Sequence, residues 1–170
     1  TFLNNLGKAE TELGDLDSAR RSFREALVIL HRLANERPEV YRSRVAMTLN
    51  MLGSVHGGLD DLELAQESYQ EALITYRQLA QEQSDVYLPL VAGTLNNLGN
   101  VQGGMYDPRS AQCSLQEALG IWRELAQLHP EVHQSNVVMT LSNLGIIQSA
   151  LNAPESARES FQEVLVIYHK

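Results

Sequence analysis

Apolar and small residues fall in steps of three and four along most of this chain. From Val45 they are Val45, Ala46, Leu49, Leu52, Gly53 and His56, one face of a helix. The pattern breaks at Gly57-Gly58-Leu59-Asp60-Asp61 and resumes at Leu64, Ala65, Tyr69, Ala72, Leu73, Tyr76, Leu79 and Ala80. Between these lie Gln66, Glu67, Gln70, Glu71 and Arg77, a solvated opposite face. No stretch alternates with period two, so the chain is expected to be all-α.

The helix pair repeats. Leu3-Asn4-Asn5-Leu6-Gly7 returns as Leu49-Asn50-Met51-Leu52-Gly53, as Leu95-Asn96-Asn97-Leu98-Gly99 and as Leu141-Ser142-Asn143-Leu144-Gly145, always 46 residues on. A fixed period in this range predicts a stacked solenoid whose units bury their apolar faces against each other. The array reads as one domain over 1–170, with repeats at 3–48, 49–94, 95–140 and 141–170, the last incomplete. Both ends read as cuts through a longer protein.

The turns agree with this division. The first helix of each pair, helix A, is expected to end near Gly14, Asp60, Tyr106 and Asn152. Gly, Asn and Asp tolerate a left-handed cap; Tyr106 is the exception. The second, helix B, follows Asp15, Asp61 and Asp107, which are N-cap residues, and Pro108 and Pro154 suit its first turn. It ends before Pro38 and Pro130. Pro89 is expected either in the first turn of a helix A or at a kink.

These residues also carry a resemblance. Leu-Gly in helix A, followed by Ala, an aromatic and Ala in helix B, is similar to the tetratricopeptide repeat. The positions are Leu6-Gly7, Ala19, Phe23 and Ala26; Leu52-Gly53, Ala65, Tyr69 and Ala72; Leu98-Gly99, Ala111, Leu115 and Ala118; and Leu144-Gly145, Ala157, Phe161 and Val164. The chain departs from that family in its longer period, its lack of the closing Pro, and Glu10, His56, Gln102 and Gln148 at the helix A Tyr. The long helices and the Leu-Asn-Asn-Leu string resemble the kinesin-light-chain type. The resemblance implies a right-handed superhelical solenoid of antiparallel helix pairs, with helix A lining a concave groove.

On that implication the groove carries Thr1, Asn4, Asn5 and Lys8; Met47, Asn50, Met51 and Ser54; Gly93, Asn96, Asn97 and Asn100; and Met139, Ser142, Asn143 and Ile146. An Asn side chain can donate to and accept from the backbone of an extended peptide. It can equally bond along or between helices, or face water. Gly93, between Met47 and Met139 in register, is expected to leave a dip floored by amides. Only Lys8 and Arg44 could help hold a carboxylate, fewer than chaperone-type clamps use.

Charge narrows the partners. The chain has net charge −8 and a pI near 5.1. It lacks the basic stripe that nucleic acid or an anionic membrane requires. No apolar run approaches a membrane span; the longest resemble Ala26–Leu30. No leader segment is evident. Cys113 shares its register with Arg21, Glu67 and Glu159, so it is expected to be an exposed free thiol suited to a reducing, cytoplasmic compartment. His129 and His133 straddle Pro130, and their counterparts are not ligands, so no metal site is expected. The Gly57-Gly58 and Gly103-Gly104 pairs precede Asp61 and Asp107, which would repel a phosphate. Trp122 shares the core register of Leu30 and Tyr76.

No nucleophile–base pair emerges, and no cofactor or catalytic residue is expected. The expected function is a peptide- or protein-binding scaffold. The alternatives are end-to-end self-assembly and a regulatory segment of a larger protein.

Overall fold

A computed structural model describes residues 2–169; the groove position Thr1 lies outside the described residues. Among the described residues there are eight helices and no strand: α1 (Phe2–Glu12), α2 (Leu16–Glu36), α3 (Pro38–Gly58), α4 (Leu62–Glu82), α5 (Ser84–Gly104), α6 (Pro108–Leu128), α7 (Pro130–Ala150) and α8 (Pro154–Tyr168). The chain forms two compact units, Thr1–Tyr87 and Leu88–Lys170. In the first, α1 packs on α2, α2 on α3 and α3 on α4. In the second, α6 packs on α7 and α7 on α8.

All four A-to-B turns have the same geometry. Gly14, Asp60, Tyr106 and Asn152 have φ of 78, 62, 59 and 55°. The next residue's N–H in each case bonds the carbonyl five back, as in Asp61 N to His56 O at 2.9 Å and Asp107 N to Gln102 O at 2.9 Å. This is the Schellman closure, which needs a left-handed residue. Tyr106 therefore takes a conformation unfavourable to its own side chain because the repeat register demands it. Its ring is exposed and offers no compensating packing.

The N-caps divide. Asp15 accepts from Ser18 N at 3.1 Å and Asp107 from Ser110 N at 3.2 Å. Hydrogen bonding to the Ser18 and Ser110 side chains first, and then to these backbone N–H groups, holds both carboxyls below their ordinary pKa. Asp61 makes no such cap. Its Oδ2 instead takes Arg20 Nη1 at 3.3 Å, while Arg20 Nη2 holds Asp17 Oδ1 at 2.6 Å. Pro89 is the sixth residue of α5, one turn deeper than a first-turn position. Its ring removes the bond to the Asp85 carbonyl, yet the helix continues to Gly104.

Each Leu-Gly string receives a helix B side chain of its own pair. A Cβ on Gly7, Gly53 or Gly145 would lie 2.7–2.8 Å from the ring of Phe23, Tyr69 or Phe161 respectively. On Gly99 it would lie 2.7 Å from Leu115 Cγ. The alanines at the flanking registers, Ala19, Ala26, Ala65, Ala72, Ala111 and Ala118, are wholly buried. Trp122 is buried too, stacked at 5.5 Å on His133. Cys113 is exposed, as its charged register implied.

A polar bond replaces the family's Tyr. Ser22 Oγ donates to Glu10 Oε2 at 2.6 Å, Ser114 to Gln102 Oε1 at 2.7 Å and Ser160 to Gln148 Oε1 at 2.8 Å. The second repeat breaks this series. His56 does not take the bond, and Ser68 turns back to Leu64 O at 2.7 Å. The His56 ring is buried with Nδ1 3.6 Å from Asp61 Oδ2.

Burial first, and then the Arg24 charge, push His56 below its ordinary pKa of 6.5. The folded chain thus binds that proton less readily than the unfolded chain. Its stability is full above pH 6.5 and is lost as pH falls below that value towards the lower folded pKa. Urea midpoints at about pH 7.5 and about pH 5.5 are expected to drop for wild type. His56→Gln, which restores the serine bond, is expected to drop less. An equal drop in both proteins would remove His56 from the account.

Candidate functional site

The A-helix positions singled out in the sequence divide by environment. Lys8 and Met51 come together. With Thr11 and Glu12 of α1, Phe23 of α2 and Ser54 of α3, they line a cavity of about 280 Å³ in the first unit. Helical spacing accounts for the α1 contribution, since Lys8, Thr11 and Glu12 are three and four apart. Phe23 reaches the cavity because Gly7 has no side chain to cover the ring edge. Lys8 and Glu12 place both charge signs beside an apolar floor. Such a site accepts an apolar side chain with a polar backbone beside it. Burial pushes the Tyr69 hydroxyl up to about 12, so it stays a neutral partner of Ser54.

Three of the asparagines are committed inside the fold. Asn4 is buried and its Nδ2 donates to Thr48 Oγ1 at 2.8 Å, tying α1 to α3. Asn143 Nδ2 donates to Asn96 Oδ1 at 3.2 Å, tying α7 to α5, and Asn96 is buried. For these the inter-helix alternative holds. Asn50 and Asn97 are half-buried, while Asn5, Asn100 and Met47 are exposed.

The Gly93 dip has a different floor from the one expected. A Cβ there would meet Trp122 Cζ2 at 3.9 Å, so an indole edge and not an amide lies beneath it. The amide of Asn96, one turn on, is already bonded to Asn143. Sequence register placed Trp122 in the core but could not show which A-helix residue it underlies.

Thr11, Glu12 and Phe23 were missed as lining residues. The signal for the first two was helical spacing from Lys8. Phe23 lies on helix B, outside the A-helix register that the resemblance assigns to the groove. Among the described residues, no group of three or more His, Cys, Asp or Glu could hold a metal ion. No described helix is long and apolar enough to cross a membrane.

In each helix pair the A helix closes in a Schellman turn and its glycine receives a side chain from helix B, an arrangement similar to a tetratricopeptide repeat. Residues 1–38 and 45–84 match the tetratricopeptide repeat family. Two solved structures share the fold. BtubC (BKLC) from P. vanneervenii has a TM-score of 0.83 and 26% identity, over 98% of this chain and 62% of that one. MamA has a TM-score of 0.70 and 17% identity, over 98% of this chain and 77% of that one. The chain thus spans less than two thirds of BtubC. No curated protein sequence matches it.

Proposed function

We propose that this chain is a non-catalytic binding module that takes an extended peptide along its A helices, with one apolar peptide side chain in the Lys8–Met51 cavity. The observation that carries this reading is that cavity. It combines an apolar floor at Phe23 and Met51 with a cation at Lys8 and hydroxyls at Thr11 and Ser54. Among the groove positions, Asn5 and Asn100 are exposed and Asn97 half-exposed, so their amides can meet peptide backbone. Gly93 offers a second, shallower position above Trp122. The exposed Cys113 thiol suits a reducing compartment such as the cytoplasm.

Peptides selected from a random library against the intact chain provide the test. Met51→Glu sets a carboxylate beside Glu12 in the cavity and is expected to weaken a selected peptide by about tenfold or more, or about 1.4 kcal/mol. Asn97→Ala and Gly93→Met are expected to weaken, several-fold, selected peptides that bind on α5. Met already stands at the Gly93 register in two other repeats, so the fold tolerates that change. Wild-type affinity in all three variants would place recognition elsewhere.

A further inference from the structure

The B helices of the two units can be compared by register. Val28 of α2 and Leu64 of α4 stand at the positions that α6 and α8 give to Gly120 and Ser156. Both changes remove an apolar side chain from the second unit. A Cβ on Gly120 would meet nothing within 4 Å. The space left there is a cavity of about 350 Å³, lined by α6, α7 and α8, of which α7 packs on both others.

The floor of the cavity is apolar. Leu119, Leu141 and Leu144 line it and are buried. The Gln148 amide beside them is held by Ser160, whose Oγ donates to Gln148 Oε1 at 2.8 Å. The walls are polar, with Gln116 and Arg123 from α6 and Ser156, Glu159 and Glu163 from α8. Arg123 is already neutralised, its Nη2 holding Glu163 Oε2 at 2.6 Å. The Glu159 carboxylate is exposed and pairs with no cation among the described residues.

The cavity thus joins an apolar floor to one uncompensated negative charge, in a chain whose net charge is −8. That charge repels an anion. An uncharged apolar side chain would cover Glu159 and Gln116 without giving them a donor. A guanidinium on an alkyl stem fits both halves. It carries donors only, in a planar fork that suits a carboxylate, and it is weakly hydrated. Its stem can lie on the leucines while its head stays with Glu159 and the Gln116 carbonyl. A lysine ammonium is a compact, strongly hydrated point charge without that fork.

We infer that this cavity on the B helices takes one arginine side chain of a protein partner, with its guanidinium on the Glu159 carboxylate and its stem on Leu119, Leu141 and Leu144. The site belongs to the second unit and is independent of the peptide reading of the Lys8–Met51 cavity in the first.

Nα-acetyl-arginine amide presents that side chain with neutral ends, as a peptide does, and serves as the probe. Added to the intact chain, it is expected to shift the Gly120, Ser156 and Glu159 amide resonances saturably, with a Kd on the order of 1 mM. The citrulline analogue has the same shape without the charge. It is expected to bind about three- to fivefold more weakly, the contribution of an exposed ion pair. Glu159→Gln is expected to abolish this preference for arginine over citrulline. Gly120→Val installs the residue that the first unit has at this register, at an open and exposed position. It is expected to remove the saturable shifts with helix content unchanged by circular dichroism. Ser156→Leu fills the cavity from the α8 wall with the same expected result.

No saturable shift in wild type by about 10 mM overturns the inference. A citrulline analogue that binds equally well does so too, as does a folded Gly120→Val chain that binds as wild type does. Free arginine binding more tightly than the capped probe would overturn the assignment to a protein partner, because the free amino acid is then the occupant. Loss of helix content in Gly120→Val transfers the decision to Ser156→Leu, read by the same criterion.

Discussion

Gly99→Val is expected to destabilise the chain by about 1–3 kcal/mol, the cost of overpacking a closed site. A first side-chain carbon at Gly99 would lie 2.7 Å from Leu115 Cγ and 3.2 Å from the Ala111 carbonyl oxygen. The first neighbour is a branch point near the backbone and the second is backbone itself. Neither can swing aside as the tip of a flexible side chain could. Gly120→Ala is the control. Its Cβ meets nothing within 4 Å, and the position is exposed. Removing glycine from a helix interior there is expected to add up to about 1 kcal/mol. Urea midpoints at a common slope measure both changes. A neutral Gly99→Val would show that α5 and α6 are not held at the separation described.

Trp122→Ala is expected to have the largest effect, about 3–5 kcal/mol. The ring is buried, stacks on His133 and lies beneath Gly93. Its loss leaves a cavity bounded by two helices of the same unit. That loss is a large part of the roughly 5–15 kcal/mol that stabilises a natural domain. Trp122→Phe is expected to cost under about 1.5 kcal/mol. The Nε1–H has no acceptor among the described residues, so Phe removes no hydrogen bond. A costly Trp122→Phe together with a mild Trp122→Ala would contradict the packing account.

The elements of this fold were legible because the period and the turn chemistry agree. Gly14, Asp60 and Asn152 suit a left-handed cap, and the fixed 46-residue step assigns the same geometry to Tyr106, a residue that does not suit it. The Leu-Gly register likewise anticipated a close approach, and each glycine does receive a helix B side chain. What sequence left open concerns partners across helices. Asn4 and Asn96 read equally well as peptide hooks or as inter-helix ties until Thr48 and Asn143 are placed beside them. Asp61 matches the cap residues Asp15 and Asp107 in type and register. Its carboxylate faces Arg20 and His56 because only that repeat has histidine at the Ser–Gln register. Pro89 misled in the other direction. The apolar pattern of helix A begins at Val45, but the helix itself begins at Pro38, and α5 begins correspondingly early.

The central claim is that a peptide lies along the A helices with a side chain in the cavity between α1 and α3. The most direct measurement is amide and methyl chemical-shift mapping of the intact chain with a selected peptide at saturation. The account predicts the largest changes at Lys8, Thr11, Met51 and Ser54. It also predicts no change at Val28 or Ile74, which are exposed on helices α2 and α4. Changes confined to those B-helix positions, with Lys8 and Met51 unmoved, would contradict it.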